Sequence, residues 1–315
     1  MFKSYNLYLS AGTLCGGILK LSKYLEPLFR LIVIYNKAQK YRHFDETTLK
    51  VFVDIPDKKT KNWWLWQSST EHSVVFFLNR SRSANVVEDF LKDCNKDTVL
   101  ITDRYSAYKK AKKKALAFCW VHVRRDFIKI GRSEFYHLSW ALRWLKKIGK
   151  LFKYNKDRQL NKGDPLKYKA AQAKVEKQLV EIKAAAEYEL NTCQSTYYKQ
   201  RTKVIESLIR HWEGLTLFVN DDNIAMDNNF AERLFRPVAT FRKSSYGTHS
   251  ERFGDITAML MSIFGTLRLN NIRAREYLKE YFVAAAASSA DLDSVVGEFM
   301  PWNLPEEKIK RLTYS

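Results

Sequence analysis

The sequence predicts a mixed α/β core interrupted by a large all-helical insertion, and three observations carry that prediction. Residues 41–81 hold three short runs rich in β-branched and aromatic residues, with a turn-forming segment between the first two. Residues 134–219 show only helical periodicity, in three long stretches. At 315 residues the chain is long enough for about two domains, or for one domain carrying a large insertion.

The elements follow in order. Leu19, Leu21, Leu25, Leu28, Phe29, Ile32 and Val33 mostly keep helical spacing, which predicts a lead-in helix over 18–38 with one buried face. Residues 7–35 are apolar enough to suggest a signal or an anchor. Lys20, Lys23, Glu26 and Arg30 interrupt them well before the ~20 residues a span needs, so the reading is a soluble helix and no membrane.

From Tyr41 the runs YRHFDETTLKVFV, NWWLWQSS and SVVFFLNRS predict a three-strand antiparallel meander, with DIPDKKTKN turning between the first two. Trp63, Trp64 and Trp66 are expected to alternate between core and surface, as core packing and not as base-stacking platforms. SANVVEDFLKDC at 83–94 reads as a short helix, and TVLITD after it as a buried strand. ALAFCWVHV reads as a further strand beyond the basic run KKAKKK at 109–114, itself a solvated helix face or a contact to phosphate. Strand–strand–strand–helix–strand is the ribonuclease H-like order.

Helices are then predicted over 134–154, 165–191 and 196–219, with the GDP at 163–165 marking one break. The expected organisation is a lead-in over 1–38, a ribonuclease H-like core from 39–130 and 226–285, a helical insertion at 131–225 and a C-terminal tail at 286–315.

The net charge of +20 implies a polyanionic partner, most often nucleic acid, with a membrane surface or an acidic protein as rarer choices. Cys15, Cys94, Cys119 and Cys193 form no CxxC pair, so neither a zinc ribbon nor a disulfide framework is indicated, and a reduced cytoplasmic setting is expected.

Phosphoryl transfer by two metal ions needs carboxylates from separate elements, because hard oxygen ligands must hold cations about 3.5–4 Å apart at one phosphate. Asp45 stands mid-strand in HFDET, where acids are depleted. Asp103 ends the buried strand TVLITD, and Glu232 is the one acid among the cations of ERLFRPVATFRK. Each also has a structural reading. Asp45 reads as a solvated strand acid, Asp103 as a cap for the helix after it, and Glu232 as the reaching partner of a capping box begun by Asn229.

The motifs HFDET at 43–47, KTKNWWLW at 59–66, TDRYSAY at 102–108, CWVHVRRDF at 119–127, MDNNFAERLFRPVATFRKSSYG at 226–247 and MPWN at 300–303 occur together and in order. In this the chain resembles the catalytic part of the DDE transposases of the insertion sequence sixty-six family. The resemblance implies a catalytic, metal-binding triad of Asp45, Asp103 and Glu232, magnesium as cofactor with manganese as a substitute, and a ribonuclease H-like fold. It implies hydrolysis at the element ends followed by attack of the freed 3′ hydroxyl on target DNA. DNA contacts are expected from Arg104, His122, Arg124, Arg125, Asn228, Asn229, Arg233, Arg236, Arg242 and Lys243, with the two asparagines capping the glutamate helix and Pro237 kinking or ending it.

Family members carry an N-terminal extension with a helix-turn-helix, a zinc-binding cysteine cluster and an oligomerisation helix, and this chain is expected to begin after it. A homo-oligomer on DNA and accessory proteins of the element are the implied partners. Arg104 stands where the family usually has glycine. Two further readings remain: a DNA-binding remnant that does not cut, and a ribonuclease H-like nuclease that hydrolyses without joining strands.

Overall fold

The lead-in helix α1 (Ala11–Ala38) starts at Ala11, where Ser10 caps it by accepting the Thr13 amide at 3.0 Å. Its buried residues are Leu25, Leu28, Ile32 and Asn36, whereas Leu14, Ile18 and Leu21 are exposed. Apolar spacing therefore marks the packed half of the helix and misses its first turns. The computed structural model describes residues 9–53, 61–110, 113, 115–192, 198–288 and 292–314. Most of the expected DIPDKKTKN turn, part of the KKAKKK run, Lys59, Thr60 and Cys193 lie outside these residues. Two compact units make up the chain, Met1–Lys96 with Ala231–Ser315, and Asp97–Phe230.

In the first unit β1 (Tyr41–Lys50), β2 (Asn62–Ser69) and β3 (Val74–Asn79) form the expected antiparallel meander, with β2 between the other two. Helices cover both of its faces. On one, α2 (Ala84–Leu91) brings Phe90 onto Phe44 and Phe77, with ring centroids 5.4 and 4.8 Å apart. On the other, Leu49, Leu65, Val74 and Phe76 pack with Val238 and Ala258. Burial on both faces changes the expectation for the tryptophans: Trp63 and Trp66, on opposite faces of β2, are both buried, because period-two alternation presupposes one wet face. The outer edge of β3 is closed by hydroxyls, with the Phe76 and Val74 amides donating to Ser262 and Thr266 at 2.8 and 3.1 Å. A side chain here takes the place of a fourth strand.

The second unit holds the parallel pair β4 (Val99–Thr102) and β5 (Ala115–Phe118), with the short α3 (Ala107–Lys110) between them in sequence. The strand expected over ALAFCWVHV ends at Phe118. Helix α4 (Trp120–Ser133) takes the remainder, because Trp120, Val123 and Phe127 are spaced for one helical face and all three are buried. Helices α5 (Leu138–Leu160), α6 (Pro165–Thr192), α7 (Lys199–Arg210) and α8 (Trp212–Thr216) follow. The third predicted helix is thus broken at His211. Phe127 of α4 packs against Trp140 and Trp144 of α5 at 5.3 and 5.1 Å, and both indole N–H groups donate to Glu189 of α6.

The chain then runs through α9 (Asn229–Leu234), α10 (Arg236–Ser245), α11 (Glu251–Leu269), α12 (Ala274–Ala287), α13 (Leu292–Glu298) and α14 (Glu306–Leu312). Taken together this is a mixed α/β fold dominated by helix. Among the described residues no helix is long and apolar enough to cross a membrane.

Candidate active site

Asp45 lies in the middle of β1, opposite Gln67 of β2, which in turn pairs with Phe76 of β3. Alternation puts His43, Asp45, Thr47 and Leu49 on one face of the strand. That is the face carrying Leu65, Phe76 and Leu49, against which Leu234, Phe235 and Val238 pack. The neighbouring acid, Glu46, points the other way. Its side chain is 2% exposed and takes both the Nε and Nη2 hydrogens of Arg82 on Oε1, at 2.8 and 2.5 Å. Of the two acids in HFDET, one is thus buried and paired to a partly exposed arginine, and the other shares the face covered by the C-terminal helices.

Glu232 stands in α9, half-buried, between Ala231, which is fully buried, and the apolar pair Leu234 and Phe235. Phe235 meets Phe76 edge to face, with centroids 5.6 Å apart. The helix carrying Glu232 is therefore seated by its next residues on the face of the meander that also bears Asp45. Pro237 behaves as expected: α9 stops at Leu234, and Pro237 falls in the first turn of α10, where a missing N–H costs no helical bond. Farther along α10, Arg242 Nη1 donates to Thr47 Oγ1 at 3.2 Å and to the Thr48 carbonyl at 2.9 Å, which ties α10 to β1 two residues from Asp45.

The segment after α10 returns to the same strand. Gly247 has φ +145°, and a Cβ there would lie 2.4 Å from the Lys50 carbonyl oxygen, so only glycine fits. Its neighbour Thr248 donates its amide to Lys50 and accepts from Phe52, at 2.9 and 2.8 Å. Gly247→Ala is expected to destabilise the protein by about 2 kcal/mol or more, through strain and lost pairing together. Chemical denaturation of the variant measures this, and an unchanged midpoint would contradict it.

In the other unit, Asp103 directly follows the buried strand β4, and its Oδ1 accepts the Tyr105 amide at 2.9 Å, a local turn in which the side chain mimics backbone. Beside it Arg104 is nearly enclosed, its side chain 12% exposed, with one Nη bound to Asp126 of α4 and the other donating to Ser207 of α7 at 2.9 Å. The residue expected at phosphate is thus a bracket between the loop and two helices. Both asparagines are also placed by partners that composition does not reveal. The Asn229 amide donates to the Asp227 carboxylate at 3.0 Å, and the amide of buried Asn228 to Cys119 Sγ at 3.1 Å. Burial pushes the Cys119 thiol up to about 11, so it stays protonated at neutral pH while it accepts that bond. Asp227 and Cys119 thus anchor the start of the segment that leads into α9.

Among the described residues no group of three or more His, Cys, Asp or Glu side chains is arranged to hold a metal ion. A family profile described as "Transposase IS66 family" matches residues 1–256, a span that contains all three acids. The chain belongs to the IS66 transposase family. Two proteins of Sinorhizobium fredii are similar to it: the uncharacterized protein y4jD, 25% identical over 98% of this chain and 62% of its own length, and the uncharacterized protein y4hP, 24% identical over 96% and 57%. A third from the same organism, the uncharacterized protein y4qI, is 25% identical over 84% of this chain and 51% of its own. The chain therefore spans roughly six-tenths or less of the length of these curated relatives.

The remaining cations of this IS66 family chain divide by exposure. Arg124 and Arg125 are exposed on α4, and His122 Nε2 lies 3.2 Å from Arg125 Nη1. All three are helical residues, because the preceding strand ends before them. Arg233, Arg236 and Lys243 are exposed on α9 and α10.

Proposed function

We propose that this chain is the catalytic part of a DDE transposase, with Asp45, Asp103 and Glu232 as its metal-binding triad and DNA as its substrate. The observation that carries the reading is Asp45, an acid mid-strand on a helix-covered face, together with the seating of the Glu232 helix on that face through Phe235 and Phe76. A structural acid gains little in such a position. Family membership and the charge of +20 support a DNA substrate. The meander followed by helix and parallel pair supports a ribonuclease H-like core.

The donor chemistry fits magnesium or manganese, since all three groups are hard carboxylate oxygens. A bound divalent cation would supply Lewis-acid activation of the attacking oxygen and neutralise charge on the leaving one. In the first reaction water attacks the scissile phosphorus and the bond to the 3′ oxygen breaks, leaving a 3′ hydroxyl and a 5′ phosphate. In the second that hydroxyl attacks a target phosphodiester and displaces its 3′ oxygen, so one phosphodiester is exchanged for another. Arg233 on α9, which carries Glu232, and Arg236 and Lys243 on α10 are exposed and suited to hold the phosphates, whereas Arg242 fixes α10 to β1. A homo-oligomer on paired DNA ends, accessory proteins of the element and a cytoplasmic site of action belong to the same reading.

A second reading is a DNA-binding remnant that does not cut, which the charge of +20 supports without any need for metal ligands. One assay separates the two. Duplex DNA with the source element's terminal repeats is incubated with the protein and Mg2+ or Mn2+, with Glu232→Ala as control. Metal-dependent nicking and joining, lost in the control, is the expected result. Nicking without joined products would indicate a nuclease, and binding without nicking would overturn the catalytic reading.

A further inference from the structure

Helix α5 carries a strongly cationic surface, its one acid being Asp157 near the C-terminal end. Between Leu138 and Lys156 it contains Arg143, Lys146, Lys147, Lys150, Lys153 and Lys156 and no acid. Its apolar side, Trp140, Ala141, Trp144, Ile148 and Leu151, is buried against its neighbours. Arg143, Lys146, Lys150 and Lys153 fall at successive intervals of three or four residues on the opposite side and are exposed, as is Lys156. None of the six makes an ion pair among the described residues.

The contrast with α6, packed alongside in the same unit, shows that this is not the ordinary solvated face of a basic protein. Helix α6 carries Lys167, Lys169, Lys174, Lys177 and Lys183 together with Glu176, Glu181, Glu187 and Glu189, so its charges nearly cancel, and Lys183 pairs with Glu187. Like charges three and four residues apart destabilise a helix slightly, so an uncompensated row on α5 is tolerated at a cost and is explained by an anionic partner. At 1.5 Å per residue the row from Arg143 to Lys153 extends about 15 Å. That is the axial length of four to five base pairs of B-DNA at about 3.4 Å each.

We propose that the exposed face of α5 is a backbone-binding surface for duplex DNA, placed on the helical unit. It rests on the reading that DNA is the substrate and is independent of whether the triad cuts. The surface contacts phosphates and reads no base, since its cations are lysines and one arginine along a single helix, with no amide side chain in the row from Arg143 to Lys153.

The test is equilibrium binding of the full chain to a 30-base-pair duplex of unrelated sequence, followed by fluorescence anisotropy across a salt series. The triple variant Lys146→Gln, Lys150→Gln, Lys153→Gln is compared with Lys174→Gln, Lys177→Gln, Lys183→Gln on α6. Glutamine has nearly the helix propensity of lysine, so both variants are expected to keep the parent melting temperature. The α5 variant is expected to bind at least about tenfold more weakly near 0.1 M salt, with the slope of log affinity against log salt reduced by about two to three, and the α6 variant to change little. Equal losses in both variants would show a general charge effect and overturn the assignment. An α5 variant with parent affinity and slope would overturn it as well. Binding is measured without metal, so a failure of cleavage leaves this result standing, and a failure here leaves the triad untouched.

Discussion

Asp45→Asn, Asp103→Asn and Glu232→Gln are each expected to lower metal-dependent DNA cleavage by about 1,000-fold or more, equivalent to roughly 4 kcal/mol of transition-state stabilisation. Duplex affinity should stay within roughly twofold, because it comes from phosphate neutralisation by cations that these substitutions leave in place. The two readouts together separate a ligand from a structural acid. A structural acid would lower cleavage only as far as it lowers the folded fraction. Asp103 holds its own loop through the Tyr105 amide, and an asparagine can accept the same bond, so Asp103→Asn should fold normally. Asp45→Asn is likewise isosteric in the strand. Asp103→Cys offers a further readout, since a thiolate prefers softer ions than magnesium, and activity recovered by manganese and not by magnesium would mark position 103 as a ligand. Cleavage retained in any one of the three variants would remove that residue from the triad.

Much of the architecture was legible because the signals were local. The meander strands, the start of α6 after the GDP, and the helix break at Pro237 each follow from residues within a few positions of one another. Errors arose where tertiary context decides. Val121 and Val123 extend an apolar run that reads as strand, yet Trp120, Val123 and Phe127 line one buried side of a helix. Trp63 and Trp66 are both buried because helices cover both faces of β2, which a single strand cannot disclose. The candidate site divides in the same way. Strand alternation separates Asp45 from Glu46 as soon as the strand is recognised. The arginines are harder, because sequence supplies the charge of Arg104 and Arg242 but not Asp126, Ser207 or the carbonyl of Thr48 that occupy them. Charge counts alone therefore do not separate cations held by partners, such as Arg104 and Arg242, from exposed ones, such as Arg233, Arg236 and Lys243.

Arg42→Ala is expected to produce a large loss of stability, about 2–3 kcal/mol, in the unit that carries Asp45 and Glu232. The Arg42 side chain is fully buried, and its guanidinium collects the last carbonyls of α1. Nη2 donates to Asn36, Lys37 and Gln39 at 3.0, 3.1 and 2.8 Å, and Nη1 to Asn36 Oδ1 and Ser68 Oγ, each at 3.2 Å. Burial lowers its pKa, but an arginine remains charged at neutral pH, and the partial negative charge at the end of a helix compensates it. Truncation would take the guanidinium donor from the Gln39 carbonyl and leave the Asn36 and Lys37 carbonyls and Asn36 Oδ1 with one donor each, from the Gln39 and Asn95 amides and Ser68 Oγ, so α1 would lose part of its attachment to the start of β1. Arg42→Lys should recover part of the loss, since an ammonium group offers charge but cannot reach all of these acceptors in one plane. Thermal unfolding followed by circular dichroism should show the alanine variant melting on the order of 10 °C lower, with lysine between it and the parent. Cleavage measured below the melting transition should be nearly unaffected, because Arg42 faces away from the Asp45 side of β1. A small shift in melting temperature would mean that α1 is held by its apolar contacts with Leu25, Leu28 and Ile32, and that the guanidinium network adds little to them.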